Sequence, residues 1–341
     1  MRGITPPSPA SSTWGRTTGS WGTCRCSIPI RKAPLTSPLP PPGSCATPPR
    51  KPFFLDVGFF ETHLPFPEPG DDGRCGRPPA PLPDAPEVRA DMAGFRESVR
   101  HLDDGVGIVL DALKGSARGR ETLVVCTTDH GLPLPGMKCN LTDHGIGVML
   151  VMRGPGGFHG GRAIDGMVSQ IDLFPTLCEL LEIEPPGWLQ GRSMMPLVRG
   201  EAEEIDEAVF AEVTYHAAYE PQRAVRTRRW KYIRRFEERG GPVLPNCDDS
   251  HSKQYLLERG WRERAPEPEQ LYDLVFDPNE GRNLAADPGS AGVLDGMRRR
   301  LDRWMRETGD PLLSGPVPAP AGARVNDGDG LSPRETPRLI E

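Results

Sequence analysis

The sequence lacks several features that are typical of membrane, secreted, disulfide-rich or nucleic-acid-binding proteins. It has no run of eighteen apolar residues, which excludes a membrane-spanning helix. The amino terminus carries no apolar stretch typical of a secretory signal, so we expect a cytoplasmic protein. Its eight cysteines include no C-x-x-C pair and are predicted to be free thiols. A basic excess is also missing: the net charge of −6 argues against a nucleic-acid partner.

Acidic side chains are absent from residues 1–50. This segment holds eleven prolines and six Lys or Arg residues, which leaves 35 basic and 47 acidic residues in 51–341. A composition without apolar periodicity predicts no packed core. Two hypotheses follow for 1–50: a disordered basic tail, or a non-native stretch translated out of frame or from a wrong start.

The remaining chain alternates strand and helix patterns. Apolar strand candidates and amphipathic helices follow one another at 52–60, 85–114, 123–125, 147–153 and 168–182. Helices between strands are typical of a parallel sheet. Four short β runs and a final helix are then predicted at 208–214, 223–227, 230–236, 270–274 and 289–308. We therefore expect an α/β domain over 51–205, an α+β subdomain over 206–313 and a disordered tail over 314–341.

The strand candidate at 123–125 leads into residues with metal-binding chemistry. Asp129 and His130 follow this strand candidate, and Lys138 comes shortly after the tripeptide Pro-Leu-Pro. Ligands bind at the carboxyl ends of strands in open α/β sheets, so this stretch is the candidate site. A second Asp-His-Gly string begins at Asp143, where a loop histidine is favoured over a second metal site. His63 also lies just past a strand candidate, and from position alone a loop role and a functional role are equally favoured.

Several motifs occur together and in a fixed order. They are PFFLDVGFFETHLPF, TLVVCTTDHG, VSQIDLFPTLCELLEI, LQGRSMMPLVRG, RRWKYIRRF and LYDLVFDPNEGRNLAADP. From about Pro52 to Pro311 the chain resembles the sulfatase family of the alkaline-phosphatase superfamily, and most of all its heparan N-sulfatase branch. The resemblance implies an α/β fold, with an alkaline-phosphatase-like mixed sheet flanked by helices, a smaller C-terminal antiparallel-sheet and helix subdomain, and the amino-terminal strands absent. It also implies a hydrolase that cleaves a sulfate ester or an N-sulfate from a sugar-like substrate.

The resemblance implies roles for four of these residues. Asp129 and His130 match two ligands of one divalent cation, Lys138 matches a residue that contacts the sulfate, and His63 matches a histidine that hydrogen-bonds the sulfate or the scissile heteroatom. Family precedent favours calcium, while the imidazole leaves magnesium, manganese or zinc open. Fixed positive charge stabilises a departing sulfuryl group, and an imidazole can donate a proton near neutral pH.

Three further candidates lie in the segment AEVTYHAAYEPQR, which closes over the substrate in similar proteins. Glu212, His216 and Arg223 are therefore expected to bind substrate. For Arg223, recognition of a carboxylate on an acidic sugar competes with a plain surface ion pair, which is slightly favoured.

The family's nucleophile motif is missing from the sequence. Sulfatases oxidise the Cys or Ser of C/S-x-P-S/A-R to formylglycine, whereas the strings that begin at Cys26 and Cys45 place proline one residue too late. The acidic pair Asp71-Asp72 follows His63, while the family's metal-binding pair precedes that histidine. We therefore expect an impaired hydrolase. The alternatives are a non-catalytic remnant that binds a sulfated ligand, and a phosphodiesterase-like member of the superfamily.

Overall fold

The chain divides into two compact units. The computed structural model describes residues 22–28, 52–70 and 76–341, the first range by its backbone alone. One unit comprises residues 1–78 and 84–122, and the other comprises residues 79–83 and 123–341. This division differs from the boundary predicted at residue 205. The reason is that the loop after residue 127 is tied by ion pairs and apolar contacts to the sheet that begins at Val209.

The smaller unit contains two strands and a long helix. β1 (Gly22–Ile28) pairs in parallel with β2 (Phe53–Phe59), the predicted strand. β1 lies inside the segment predicted to lack structure, because the open backbone edge of a strand can pair with an extended segment of almost any composition. The predicted helix is confirmed as α1 (Pro86–Lys114), with proline in its first turn. The Cys45 string and Asp71-Asp72 lie outside the described residues.

The larger unit begins with an antiparallel pair rather than the predicted parallel strand. β3 (Val124–Thr127) pairs antiparallel with β4 (Leu150–Arg153). The connection between them holds only the four-residue helix α2 (Asp143–Ile146), whereas a parallel return usually runs through a full crossover helix. Two short helices follow, α3 (Leu173–Leu180) and α4 (Met195–Arg199).

A four-stranded antiparallel sheet forms the centre of this unit. Its strands, in spatial order, are β5 (Val209–Tyr215), β6 (Tyr219–Arg226), β7 (Trp230–Arg235) and β8 (Glu269–Asp273). Helix α6 (Ala291–Thr308) packs on the sheet through Leu294, Met297, Leu301 and Met305, as its periodicity predicted. Another cluster on the sheet includes Leu141, which lies just after the candidate site. The candidate loop is thereby fixed to the sheet, and each fully buried side chain of this size contributes roughly 1.5–3 kcal/mol.

The carboxyl-terminal tail is ordered, so the prediction of disorder over 314–341 is wrong. It contains the short antiparallel pair β9 (Arg324–Val325) and β10 (Arg338–Leu339). The Tyr215 hydroxyl donates a hydrogen bond to the Val317 carbonyl at 2.9 Å, and the Ser332 hydroxyl donates to Asp249 Oδ2 at 2.5 Å. Polar side chains of the sheet region thus hold the tail at intervals, which its Pro/Gly-rich composition does not reveal. Helix α5 (His251–Leu257) was also not predicted.

Among the described residues, no helix is both long enough and apolar enough to span a membrane.

Candidate functional site

The two Asp-His-Gly strings lie directly against each other. The Gly131 amide donates to the Gly145 carbonyl at 2.8 Å. A Cβ atom at Gly131 would lie 1.9 Å from the His144 carbonyl oxygen, and one at Gly145 would lie 2.1 Å from the Asn140 carbonyl oxygen. Only glycine fits at either position, so the repeat forms a close backbone clasp that shapes the loop over 128–140.

The carboxylate of the second string is held by two cations. Asp143 accepts hydrogen bonds from the buried Lys231 ammonium and, at 3.1 Å, from Arg226. Burial by itself would raise the pKa of Asp143, but the attraction of Lys231 and the hydrogen bonds from Arg226 and Lys231 outweigh it and hold the pKa below its usual range. Asp143 is therefore an anchor between the loop and the sheet.

Asp129 and His130 offer two donor atoms to a cation. Asp129 is 89% exposed, and its Oδ2 lies 3.7 Å from His130 Nε2. His130 Nδ1 lies 2.9 Å from the Gly131 carbonyl oxygen, which can only accept, so in the neutral tautomer that makes this bond Nε2 carries the lone pair. Within the described ranges, no three His, Cys, Asp or Glu side chains come together as a metal site. This pair therefore fits half of a coordination shell and does not complete one.

Lys138 is placed very differently, although it belongs to the same loop. It is only 7% exposed, and its Nζ donates to Asp248 Oδ2 at 2.8 Å. The loop that carries Asp248 is itself held by Lys253, whose buried Nζ donates to the Leu244 and Cys247 carbonyls at 3.0 and 2.7 Å. A preorganised ammonium is thus fixed in the wall of the unit.

That wall borders a polar cavity of about 300 Å³. Its lining includes Lys138, Glu220, Arg235, Asn246, Trp261 and Arg264. Arg235 and Glu220 form a second buried ion pair at 2.7 Å, and Asn246 Nδ2 donates to the other Glu220 oxygen at 2.9 Å. Arg235 also approaches Asn140 Oδ1 at 3.4 Å, which joins this network to the candidate loop. The cavity therefore presents fixed donors and acceptors on a rigid frame.

Two thiols flank this region. Burial raises the pKa of Cys139 to about 12 and that of Cys247 to about 12. The four cysteines whose side chains the structure describes are all free, which confirms the prediction for those positions. Because a thiol with such a pKa is almost entirely protonated near pH 7, neither residue has the character of a nucleophile.

His63 belongs to the smaller unit. It is half-buried in the turn after β2, and its Nδ1 lies 2.6 Å from the Leu64 carbonyl oxygen. Its ring lies 5.1 Å from that of Phe60 between centroids. These two contacts hold one side of the imidazole ring.

The structure corrects the prediction for Arg223. Its side chain is 1% exposed and pairs with Asp310, itself 2% exposed, through Nε at 2.5 Å and Nη2 at 3.1 Å. Nη1 donates to the Val213 and Gln222 carbonyls, both at 2.9 Å. Arg223 thus forms a buried ion pair with Asp310 rather than a plain surface pair, and its role in substrate binding stays a prediction.

Glu212 and His216 remain accessible but lie apart from the cavity lining. Glu212 is 59% exposed and 3.2 Å from Arg223, and His216 is exposed in the turn between β5 and β6. Their assignment to substrate binding stays a prediction.

Sequence reasoning missed most of the cavity. Its partners are far apart along the chain, as Lys138 and Asp248 illustrate, and follow no periodic pattern. One signal was present: Ser250 caps α5 by accepting from the Lys253 amide at 3.1 Å, and a serine before a helical run marks such a start. Recognising α5 would have identified Leu244–Lys253 as a structured wall.

Comparison with known proteins gives a consistent family. A sulfatase family model matches residues 45–183, and a model of the N-sulphoglucosamine sulphohydrolase C-terminal region matches residues 138–242. Human N-sulphoglucosamine sulphohydrolase is 30% identical over 320 residues, covering 78% of this chain and 63% of that protein. The Delta 4,5-hexuronate-2-O-sulfatase of Bacteroides thetaiotaomicron is 29% identical, covering 73% of this chain and 48% of that protein.

The fold agrees with solved structures. A candidate sulfatase from Bacteroides thetaiotaomicron superposes with a TM-score of 0.59 at 24% identity, covering 86% of this chain and 68% of that one. The mixed α/β architecture is therefore confirmed. The chain spans between 48% and 63% of the length of the two curated relatives described above.

Proposed function

This chain belongs to the sulfatase family, and on that premise we propose that it binds a sulfated sugar, with Lys138 as the residue that holds the sulfate. The observation that carries the proposal is the buried position of Lys138 beside a polar cavity. Human N-sulphoglucosamine sulphohydrolase, a relative, is named for a sulfated sugar. The substrate class proposed here is correspondingly a sulfate ester or sulfamate on a sugar.

Electrostatics favour an anion beside Lys138. An ammonium that is largely shielded from water interacts more strongly with a neighbouring charge than one in bulk solvent. Asp248 balances the charge of Lys138 and fixes its direction, so the side chain does not have to reorganise when a sulfate arrives. Arg235 and Asn140, whose side chains also carry N–H groups, line the same cavity.

We further propose that Asp129 and His130 are two ligands of a divalent cation, calcium first, and that His63 donates a proton to the leaving group. Sulfatases generally use a divalent cation and a formylglycine. The bound cation would neutralise charge on the sulfuryl oxygens. The residues of this chain would supply the exposed carboxylate of Asp129 and an imidazole nitrogen of the partly exposed His130.

Hydrolysis by this chain is proposed to be impaired. The sequence carries no C/S-x-P-S/A-R string, and a sulfatase without its nucleophile keeps binding but not turnover. A binding role for the chain is therefore favoured over full catalysis.

The experiment separates binding from turnover in the purified full chain. Calorimetric titration with N-sulfoglucosamine is expected to show binding, and Lys138→Met to weaken it at least tenfold, which corresponds to about 1.4 kcal/mol. Lys114→Met, at an exposed helix end, is the matched control and should leave affinity unchanged. A circular dichroism melt of each variant confirms folding.

Turnover is measured with an aryl sulfate and with N-sulfoglucosamine. We expect no release of sulfate above the level of a His63→Ala control. Release above that level would show an active hydrolase and overturn the impaired assignment. An absence of binding to wild-type protein would overturn the proposed function as a whole.

A further inference from the structure

We infer that the cavity beside Lys138 is the pocket for one sugar ring, and that Arg264 selects a ring that carries a second anionic group. The inference rests on the proposed function, because it takes the group held by Lys138 to be the sulfate. A cavity of about 300 Å³ lies at the lower end of the range for ligand sites, which suits a single ring better than a polymer.

The cations around the cavity are not equivalent. Lys138 is balanced by Asp248 at 2.8 Å and Arg235 by Glu220 at 2.7 Å. In each pair the carboxylate offsets part of the charge of the cation, and both pairs are largely shielded from water. Lys138 therefore meets the sulfate as a fixed ammonium donor, with less charge to spare for a second anion.

Arg264 has no such carboxylate partner in the part of the chain that the structure describes. It is exposed and lines the cavity, and its side chain donates a hydrogen bond from Nη2 to the Arg259 carbonyl at 3.2 Å. The remaining guanidinium N–H groups can donate two parallel hydrogen bonds to a bidentate acceptor, such as a carboxylate or a sulfate. Arg264 is therefore the lining residue whose positive charge can pair with an anionic group of a ligand.

The backbone around Arg264 is fixed rather than loose. The Trp261 amide donates to the Leu256 carbonyl at 3.1 Å, and the Arg264 amide donates to the Trp261 carbonyl at 3.2 Å. These bonds tie the segment to the end of α5, so Arg264 is presented from a defined position. A preorganised cation of this kind binds an anion at a lower entropic cost than a mobile one.

The neighbouring lining residues match the rest of a sugar. Trp261 is partly exposed, and its ring gives an apolar surface with a polar edge, suited to the C–H face of a pyranose. Glu267 and Gln270 also line the cavity: the Glu267 carboxylate can accept hydrogen bonds from hydroxyl groups, and the Gln270 amide can both accept and donate them. An aromatic surface, hydroxyl partners and an arginine without a paired carboxylate together suit a sugar with an extra acidic substituent.

The second anionic group could be a sulfate or a uronate carboxylate, and the test distinguishes them. Affinities of the full chain are measured for N-sulfoglucosamine, for its 6-O-sulfated form and for a 2-O-sulfated hexuronate. We expect at least one of the two dianionic sugars to bind roughly tenfold more tightly than N-sulfoglucosamine. The dianionic sugar that binds more tightly than N-sulfoglucosamine identifies the group that Arg264 recognises.

Arg264→Gln should abolish that tenfold preference and leave the affinity for N-sulfoglucosamine within about twofold. Arg262→Gln is the matched control, since Arg262 is exposed two residues away and does not line the cavity. Trp261→Phe should remove the ligand-induced change in tryptophan fluorescence and so locates the ring independently.

Three outcomes count against the inference. A wild-type preference below twofold, a preference that survives Arg264→Gln, or an equal loss in Arg262→Gln would each refute it while the proposed function stands. If wild-type protein binds none of the three sugars, the proposed function itself fails and the inference falls with it.

Discussion

The buried pair of Arg223 and Asp310 gives the sharpest test of the structure, because the sequence favoured a different role for Arg223. Both side chains are almost fully buried and share two hydrogen bonds, at 2.5 and 3.1 Å. Removing one partner leaves an uncompensated buried charge, which costs roughly 3–5 kcal/mol. With a urea dependence of about 2 kcal/mol per molar, Arg223→Met should lower the unfolding midpoint by roughly 1.5–2.5 M.

The assay is urea unfolding followed by intrinsic fluorescence. Arg300→Ala is the matched control, because Arg300 pairs with Glu207 at 3.4 Å on the surface and should cost no more than about 1 kcal/mol. The double variant Arg223→Met with Asp310→Leu should recover part of the loss, since an apolar pair replaces the buried charges. A single Arg223→Met variant with wild-type stability but weakened sugar binding would refute the structural role and restore the substrate role.

Three further predictions follow from the clasp and the buried groups. Gly131→Ala should lower the free energy of unfolding by roughly 2 kcal/mol or more, because the added Cβ would lie 1.9 Å from the His144 carbonyl oxygen. Gly136→Ala is the control: Gly136 has a φ of 74° and open space around it, so the substitution should cost only about 1 kcal/mol. Both values are measured by urea unfolding. The pKa of Asp143 is lowered, so its stabilisation is fully present above the ordinary pKa of about 3.9 and is lost as pH falls through the folded value. Asp143→Asn should therefore lower the urea midpoint at pH 7, and the difference from wild type should shrink steadily as pH is lowered below about 3.9. Burial raises the pKa of the Cys247 thiol to about 12, so this thiol should react slowly with a disulfide reagent at pH 8 in the folded chain and rapidly in urea. Equal reaction rates in the folded and the urea-unfolded chain would contradict its burial.

Much of the fold could be predicted from the sequence because its elements are specified locally. The final helix illustrates this: a residue such as Leu301 recurs at helical spacing and is fully buried against the sheet, as the pattern indicated. The strands β5 to β8 likewise coincide with the four runs predicted at 208–214, 223–227, 230–236 and 270–274, although β6 begins earlier, at Tyr219. Periodicity carries this information without reference to any distant part of the chain.

The cavity could not be predicted in the same way, because its chemistry depends on pairs that are remote in sequence. Glu220 is held in the cavity wall by an ion pair with Arg235 and a hydrogen bond from Asn246. The residues near Glu220 in the sequence do not predict either partner. Arg223 shows the converse error, since a basic residue in a segment associated with substrate is neutralised by an aspartate near the end of the chain. Local sequence gives the type of a side chain, whereas burial and pairing decide its role.

The contrast within one loop leads to a last prediction. Asp129 is 89% exposed, while Lys138, nine positions later, is 7% exposed and paired. The Gly131–Gly145 hydrogen bond lies between the two environments, so the proposed sulfate-holding residue and the two proposed cation ligands have different surroundings within this unit. If the two act independently, EDTA should change the dissociation constant for N-sulfoglucosamine by less than about twofold, and added calcium should not restore affinity to Lys138→Met. A loss of more than about tenfold in EDTA would show instead that the cation and Lys138 bind the sulfate as a single unit.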